Sequence, residues 1–161
     1  IRDYQAIGCT WFLRGHQRKI PTYGQHKGVK LSGTLDYETG RIICTEEGAY
    51  DAAAFLRFLE RTLREYPTGK IVMVLDNARI HHAKLIQSFL EENAGRLALI
   101  FLPPYSPQLN LMEGVWKWLK ESVINNVFFD HVQKIKQAVR GFLADVNGRP
   151  LEVIDRLCVR M

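Results

Sequence analysis

Two short apolar runs, Ile71 to Leu75 and Leu97 to Leu102, constrain the fold of this chain more than any other feature. Both are of strand length, and the first is rich in β-branched residues, as buried strands usually are. The segment between them places four apolar residues on one helical face: Leu85, Ile86, Phe89 and Leu90. A strand, a helix and a second strand in this order predict parallel pairing, with ligands and chemistry at the carboxyl ends of the strands.

A carboxylate follows each of these two runs. Asp76 comes directly after the first run, and Glu113 lies after a proline-rich block that opens a helix, with 36 residues between the two acids. Carboxylate oxygens are ligands that Mg²⁺ prefers. The two acids therefore make up a candidate site for a divalent metal ion.

Both acids also have a purely structural interpretation. Asp76 and Asn77 suit the cap of the following helix, since Asx residues favour helix starts. Asn110 and Glu113 have the spacing of a capping box, in which Glu113 reaches back to the first turn. On spacing alone the capping role is favoured for Glu113.

The remaining patterns predict an α/β fold in which antiparallel and parallel strands are flanked by helices. The predicted order is β-β-α-β-α-β-α-α, preceded by a short strand or ribbon. The predicted elements outside the two runs are a ribbon at Ala6–Leu13, a hairpin of Val29–Leu35 and Arg41–Thr45, and helices at 51–66, 111–125 and 132–146.

Positive charge is concentrated at the start of the chain. The net charge is +5, and residues 1–30 contain six Lys or Arg against one acid, with aromatic residues interleaved. Such a segment suits a nucleic-acid backbone, although a solvated surface is an equal alternative on charge alone. The candidate contacts here are Arg14, Arg18 and Lys19, and Lys117 and Lys120 are further candidates on the face of Glu113.

Several classes of protein are disfavoured by the sequence. The three cysteines are scattered without a CxxC pair, which suits reduced thiols in a cytoplasmic protein. No apolar stretch approaches the roughly 20 residues of a membrane span. No glycine-rich phosphate loop is present, so a nucleotide cofactor is not expected.

The strings DNARIHH (76–82) and PPYSPQLNLMEGVWKWLK (103–120) resemble the second and third signature blocks of DDE-type transposases. The similarity is to the bacterial insertion-sequence branch of the mariner superfamily, and it runs from about Gly28 to the C-terminus. It implies a ribonuclease H-like catalytic domain over 1–161, without the family's helix-turn-helix region. The resemblance places the second and third catalytic acids at Asp76 and Glu113.

The resemblance also implies chemistry and partners. Such enzymes hydrolyse a phosphodiester at transposon ends and join the freed 3′-hydroxyl to target DNA, using two Mg²⁺ or Mn²⁺ ions. The implied partners are DNA and a second copy of the chain. The implied location is the cytoplasm of a bacterium, in association with the nucleoid. The first acid and its strand have no clear match here, and Asp3 is the nearest candidate. We therefore expect this chain to lack strand-cleavage activity.

Two alternatives stay open at this point. One is a stand-alone ribonuclease H-like nuclease. The other is a transposase-derived protein that binds DNA or regulates without catalysis.

Overall fold

The computed structural model describes residues 1, 8, 9, 11–16, 19, 28–103, 106 and 109–157. The chain divides into two compact units. The first, called the sheet unit here, comprises Lys30–Leu35 and Ile43–Glu113. The second, called the helical unit, comprises Ile1–Val29, Asp36–Ile42 and Gly114–Met161.

Four strands and two helices make up most of the sheet unit. In chain order the elements are β1 (Lys30–Leu35), β2 (Ile42–Glu47), α1 (Ala52–Glu65), β3 (Ile71–Leu75), α2 (Lys84–Glu92) and β4 (Leu97–Phe101). The first residue of β2, Ile42, is counted with the helical unit. A single 3₁₀ turn, Arg79–His82, lies between β3 and α2.

The strands pair in two separate two-stranded sheets. β1 and β2 pair across a short connection, which requires them to be antiparallel. β3 and β4 are parallel, with Ile71 opposite Leu97 and Leu75 opposite Phe101. Along β3 the side chains alternate, Met73 being buried and Val72 exposed, so one face of this sheet packs on the core.

One apolar cluster holds the sheet unit together. It joins both sheets to both helices through buried residues from β2, α1, β3, α2 and β4: Ile43, Phe55, Phe58, Leu59, Met73, Leu75, Ile86 and Leu97. α1 begins where its sequence predicts, because the Asp51 carboxylate accepts a hydrogen bond of 2.7 Å from the Ala54 N–H. The burial of α1 against both sheets is what places β3 and the segment that follows it.

The helical unit is built from three helices. α3 (Leu111–Leu119) ends in a wider π turn, Lys120–Ile124, and is followed by α4 (Val132–Asn147) and α5 (Pro150–Leu157). The first three residues of α3, 111–113, are counted with the sheet unit. The fully buried side chains of this unit come from all three helices: Val115, Leu119, Ile135, Val139, Val146 and Val153. Trp118 packs edge-on against Phe142, and the Arg156 guanidinium lies 4.5 Å from the Trp118 ring centroid.

Two asparagine side chains in the helical unit bond to backbone as a neighbouring strand would. The Asn147 amide accepts from the Ile42 N–H at 2.8 Å and donates to the Ile42 carbonyl at 2.9 Å. Asn126 makes the same pair of bonds with Gly8, at 3.2 and 3.0 Å. Asn147 thereby satisfies the backbone N–H and carbonyl of Ile42, the first residue of β2.

The predicted α/β fold, with antiparallel and parallel pairs and flanking helices, is confirmed. Three details differ from the sequence analysis. The strands form two sheets, because no described strand pairs with β1 and β3 together. Helix α5 was not predicted. The predicted ribbon Ala6–Leu13 lies largely outside the described residues, and its described residues form no strand. No described helix is long and apolar enough to span a membrane.

Candidate active site

The carboxyl ends of β3 and β4 form the edge at which the site is built. Their pairing continues one step past the strands, because the Leu102 N–H donates to the Leu75 carbonyl at 2.8 Å. Asp76 is the next residue after β3, and Pro103 follows Leu102. The chain therefore leaves both strands at the same edge, once towards Asp76 and once towards Glu113.

The Asp76 carboxylate is exposed, while hydrogen bonds hold its Oδ1 and its backbone carbonyl. Its side chain is 68% exposed. Oδ1 accepts a hydrogen bond of 3.2 Å from the Ala78 N–H, which forms an Asx turn. Asp76 does not cap a helix: neither the 3₁₀ turn Arg79–His82 nor α2 begins with a side-chain cap. The capping alternative for Asp76 is therefore wrong.

Two histidines of the 3₁₀ turn contact Asp76 and Asn77. His81 Nδ1 lies 3.0 Å from the Asp76 backbone carbonyl and 3.5 Å from Asp76 Oδ1. His82 Nε2 hydrogen-bonds Asn77 Oδ1. Burial lowers the pKa of His81, against the opposing effects of the carbonyl and the charge of Asp76. The net shift favours the neutral ring.

Glu113 lies in the first turn of α3, where the helix dipole favours a negative charge. Asn110 closes this turn, since its Oδ1 accepts from the Met112 N–H at 3.1 Å and its carbonyl from the Glu113 N–H at 3.0 Å. Glu113 itself is exposed. Within the described part of the chain, no residue hydrogen-bonds its carboxylate. Only the Asn110 half of the capping box is formed, and the Glu113 oxygens are available to a ligand.

The donor set fits a hard divalent cation. Asp76 and Glu113 both belong to the sheet unit and both offer exposed carboxylate oxygens, which Mg²⁺ and Mn²⁺ accept together with water. Across the described residues, no group of three or more His, Cys, Asp or Glu side chains is placed to hold a metal ion. The prediction that Asp76 and Glu113 share one ion stays a prediction.

The predicted DNA contacts differ in their surroundings. Arg14, Lys19 and Lys120 are exposed, whereas Arg18 and Asp3 lie outside the described residues. Lys117 lies 4.0 Å from the Glu121 carboxylate, an exposed pair that contributes little.

Two further cations near Asp76 were missed by the sequence analysis. Arg79 in the 3₁₀ turn and Lys84 at the start of α2 are both exposed. Neither side chain has an ion pair among the described residues. The available signal was the basic character of the segment that follows Asp76.

Comparison with known proteins identifies the relatives of this chain. Residues 1–136 match the family described as DDE superfamily endonuclease. The insertion element IS630 uncharacterized 39 kDa protein of Shigella sonnei is 32% identical over 145 residues, which cover 89% of this chain and 42% of that protein. The chain thus spans less than half the length of the curated relative that it matches.

The fold is similar to that of the Mos1 transposase. The Mos1 paired-end complex with the left transposon end has a TM-score of 0.58 at 16% identity, and covers 96% of this chain and 52% of that one. The Mos1 paired-end complex with Mn has a TM-score of 0.60 at 16% identity, covering 96% and 49%. These likenesses confirm the predicted ribonuclease H-like fold. The family model matches most of the chain, and the chain therefore belongs to the DDE superfamily of endonucleases.

Proposed function

We propose that this chain is the part of a DNA transposase that holds divalent metal ions on Asp76 and Glu113 and acts on phosphodiester bonds at transposon ends. The single observation that carries this proposal is the position of Asp76. Its carboxylate is exposed at the carboxyl edge of a parallel strand pair, while its backbone is bonded to a buried ring. Oδ1 accepts one hydrogen bond from the Ala78 N–H, and the side chain is still 68% exposed, so the carboxylate is accessible to a ligand.

The chain's own residues supply binding and orientation. Asp76 and Glu113 would hold Mg²⁺ or Mn²⁺, which when bound supplies positive charge to the attacking and leaving oxygens of the phosphodiester. The Ala78 N–H orients Asp76 Oδ1, and the Asn110 turn sets the direction in which Glu113 leaves α3. A Mos1 paired-end complex was solved with Mn, which supports Mn²⁺ as the probe ion.

The test is Mn²⁺ binding to the 161-residue protein, measured by the free-ion electron paramagnetic resonance signal. Asp76→Asn and Glu113→Gln should each weaken binding by about tenfold or more, because affinity for hard cations follows the number of charged oxygen ligands. Glu92→Gln is the matched control, since Glu92 is an exposed acid on α2 away from the strand ends. Unchanged binding in both site variants would refute the metal assignment.

DDE-type transposases use three catalytic acids, and only the second and third, Asp76 and Glu113, are assigned in this chain. An incomplete set of acids favours DNA binding without cleavage. We propose that the 161-residue chain binds DNA but does not nick it with Mg²⁺ or Mn²⁺. A DNA-binding transposase derivative without catalysis is the second candidate function, favoured because no group of three or more His, Cys, Asp or Glu side chains among the described residues is placed to hold a metal ion. Metal-dependent nicking that is lost in Asp76→Asn would reject the second candidate and make Asp3 the first candidate for a third acid.

We propose that DNA contacts exposed cations in each of the two units. In the sheet unit these are Arg79 and Lys84, which flank Asp76 within a few residues. In the helical unit they are Arg14, Lys19 and Lys120. Each phosphate that such a side chain neutralises releases counterions, so affinity must fall with salt.

Salt titrations of DNA binding test these contacts by pairs. Replacing Arg79 and Lys84 by Ala should reduce the slope of log K against log salt by up to about 2 units, at roughly 0.9 per phosphate contact. Replacing Arg14 and Lys19 by Ala tests the basic segment in the same way. Lys70→Ala, an exposed lysine just before β3, is the control. A slope unchanged by either double substitution would remove that pair from the interface.

We propose that the chain self-associates through its exposed apolar segment 11–13. Trp11 is 99% exposed and Leu13 is 80% exposed, which is unusual for side chains of this size. Light scattering should show a dimer that dissociates in Trp11→Ala/Leu13→Ala and persists in Tyr37→Ala, which removes an exposed aromatic from the β1–β2 turn. A monomer in the unmodified protein at high concentration would refute this proposal.

A further inference from the structure

The chain bonds back to the two residues after β3 at a repeated spacing. Asp76 and Asn77 are each contacted by the residue five positions later, His81 and His82 respectively. The two contacts differ in kind. His81 reaches the backbone of Asp76, whereas His82 reaches only the side chain of Asn77.

His81 is fixed by the core, although Asp76 is not. The His81 side chain is 10% exposed, against 68% for Asp76. Its ring lies 4.3 Å, centroid to centroid, from the ring of Phe55, a buried residue of α1. The ring of Phe101, at the end of β4, lies 6.4 Å away on a nearly parallel plane. One imidazole therefore connects the backbone of Asp76 to a helix and to the neighbouring strand.

The hydrogen bond has a defined direction. A carbonyl oxygen only accepts, so the Nδ1 of His81 must carry the proton and donate to Asp76. The ring bonds to the backbone of Asp76. Its Nδ1 approaches the Asp76 carboxylate to 3.5 Å, at Oδ1.

We propose that His81 is a positioning residue for the metal-binding carboxylate: by holding the Asp76 carbonyl it sets the direction of the carboxylate and hence its affinity for a divalent cation. This rests on the proposed role of Asp76 as a metal ligand. Partners that orient ligating side chains in this way contribute about 10–100-fold to metal affinity in other sites. His82 has no such role, because its bond ends on Asn77.

Three variants separate the hydrogen bond from the packing. His81→Phe keeps an aromatic ring between Phe55 and Phe101 and removes the donor. His81→Asn keeps a donor where Nδ1 lies and loses most of the ring contacts. His82→Phe makes the same change one residue along and leaves the bond to Asp76 in place.

The measurements are Mn²⁺ affinity of the 161-residue protein and the amide chemical shift of Ala78, whose N–H bonds to Asp76 Oδ1. His81→Phe should weaken Mn²⁺ binding by about tenfold and shift the Ala78 amide, with little change in the thermal midpoint. His81→Asn should bind Mn²⁺ within about threefold of the unmodified protein even if its thermal midpoint falls, because the donor is retained. His82→Phe should leave both readouts unchanged.

The outcomes distinguish this inference from the function on which it rests. If Asp76→Asn weakens Mn²⁺ binding and His81→Phe does not, the positioning role is refuted and the metal site stands. If Asp76→Asn leaves binding unchanged, the metal site itself is refuted. Equal weakening in His81→Phe and His82→Phe would also overturn the inference, since a general loosening of the 3₁₀ turn would then explain both.

Discussion

Arg96 joins the end of α1 to the start of β4, and its replacement should measurably destabilise the protein. Its guanidinium donates to three backbone carbonyls: Nε to Gly69 at 2.6 Å, Nη1 to Pro67 at 2.8 Å and Nη2 to Tyr66 at 2.5 Å. Carbonyls at a helix C-terminus have no partner within the helix, and the helix dipole there favours a cation. The Arg96 carbonyl also accepts from the Ile71 N–H at 2.7 Å.

The size of the effect follows from the surroundings of the three bonds. A hydrogen bond to a charged group contributes about 1.5–3 kcal/mol, and exposed groups contribute less because water replaces the lost partner. Two of the three bonds are exposed and one is partly buried. We therefore expect Arg96→Met to lower the free energy of unfolding by about 2–3 kcal/mol. Arg96→Lys should lose about half as much, because a single ammonium cannot reach three divergent carbonyls equally.

Urea denaturation followed by tryptophan fluorescence measures this loss. With a slope of about 2 kcal/mol per molar urea, Arg96→Met should lower the midpoint by roughly 1–1.5 M. Arg64→Met is the matched control: Arg64 is an exposed arginine of the last turn of α1, so it shares the dipole but makes no hydrogen bond in the described structure. A midpoint for Arg96→Met within about 0.25 M of the unmodified protein would refute the prediction. It would show that water replaces the three hydrogen bonds of Arg96 without loss of stability.

Two further predictions concern the strand edge of β2 and the cysteines. Asn147→Ala removes both side-chain bonds to Ile42, so the free energy of unfolding should fall by about 1–2 kcal/mol and the Ile42 amide should exchange faster with solvent; unchanged exchange would contradict the capping role. Burial raises the pKa of Cys44 to about 12, so its reactive thiolate is on the order of one in three thousand at pH 8.5. Iodoacetamide should therefore alkylate the exposed Cys9 far ahead of Cys44, with the Cys44 rate rising about tenfold per pH unit, and equal rates by peptide mass spectrometry would refute this.

Local patterns were enough to predict most of the fold. β3 and β4 were predicted from their apolar runs, and α1 from the Asp51 cap and the 3.6-residue spacing of its apolar face. Helix α5 is only eight residues long and begins at Pro150, a position where proline suits a first turn. That signal was present but too short to separate a helix from a chain end.

The two carboxylates of the site could be predicted from the sequence, whereas the residue that holds Asp76 in place could not. Asp76 and Glu113 follow strand and loop signals that a sequence carries directly. The contact of His81 with Asp76 spans five residues, which matches neither helix nor strand periodicity, and it depends on Phe55 and Phe101 from distant elements. Contacts of this kind arise from tertiary packing, so no pattern along the chain predicts them.

The division of the strands into two sheets has a consequence for how the sheet unit forms. β1 and β2 are separated only by the residues from 36 to 41, and hairpins of this size form in about 1–10 μs. β3 and β4 pair residues that are 26 positions apart, as in Ile71 with Leu97, so closing their ladder costs more chain entropy than closing the hairpin. In the described structure the two ladders share no hydrogen bond, yet Ile43 of the hairpin packs in one core with Met73 and Leu97. Cooperative unfolding of this unit must therefore be transmitted through side-chain packing, and a cavity at Ile43 would uncouple the early hairpin from the late parallel pair.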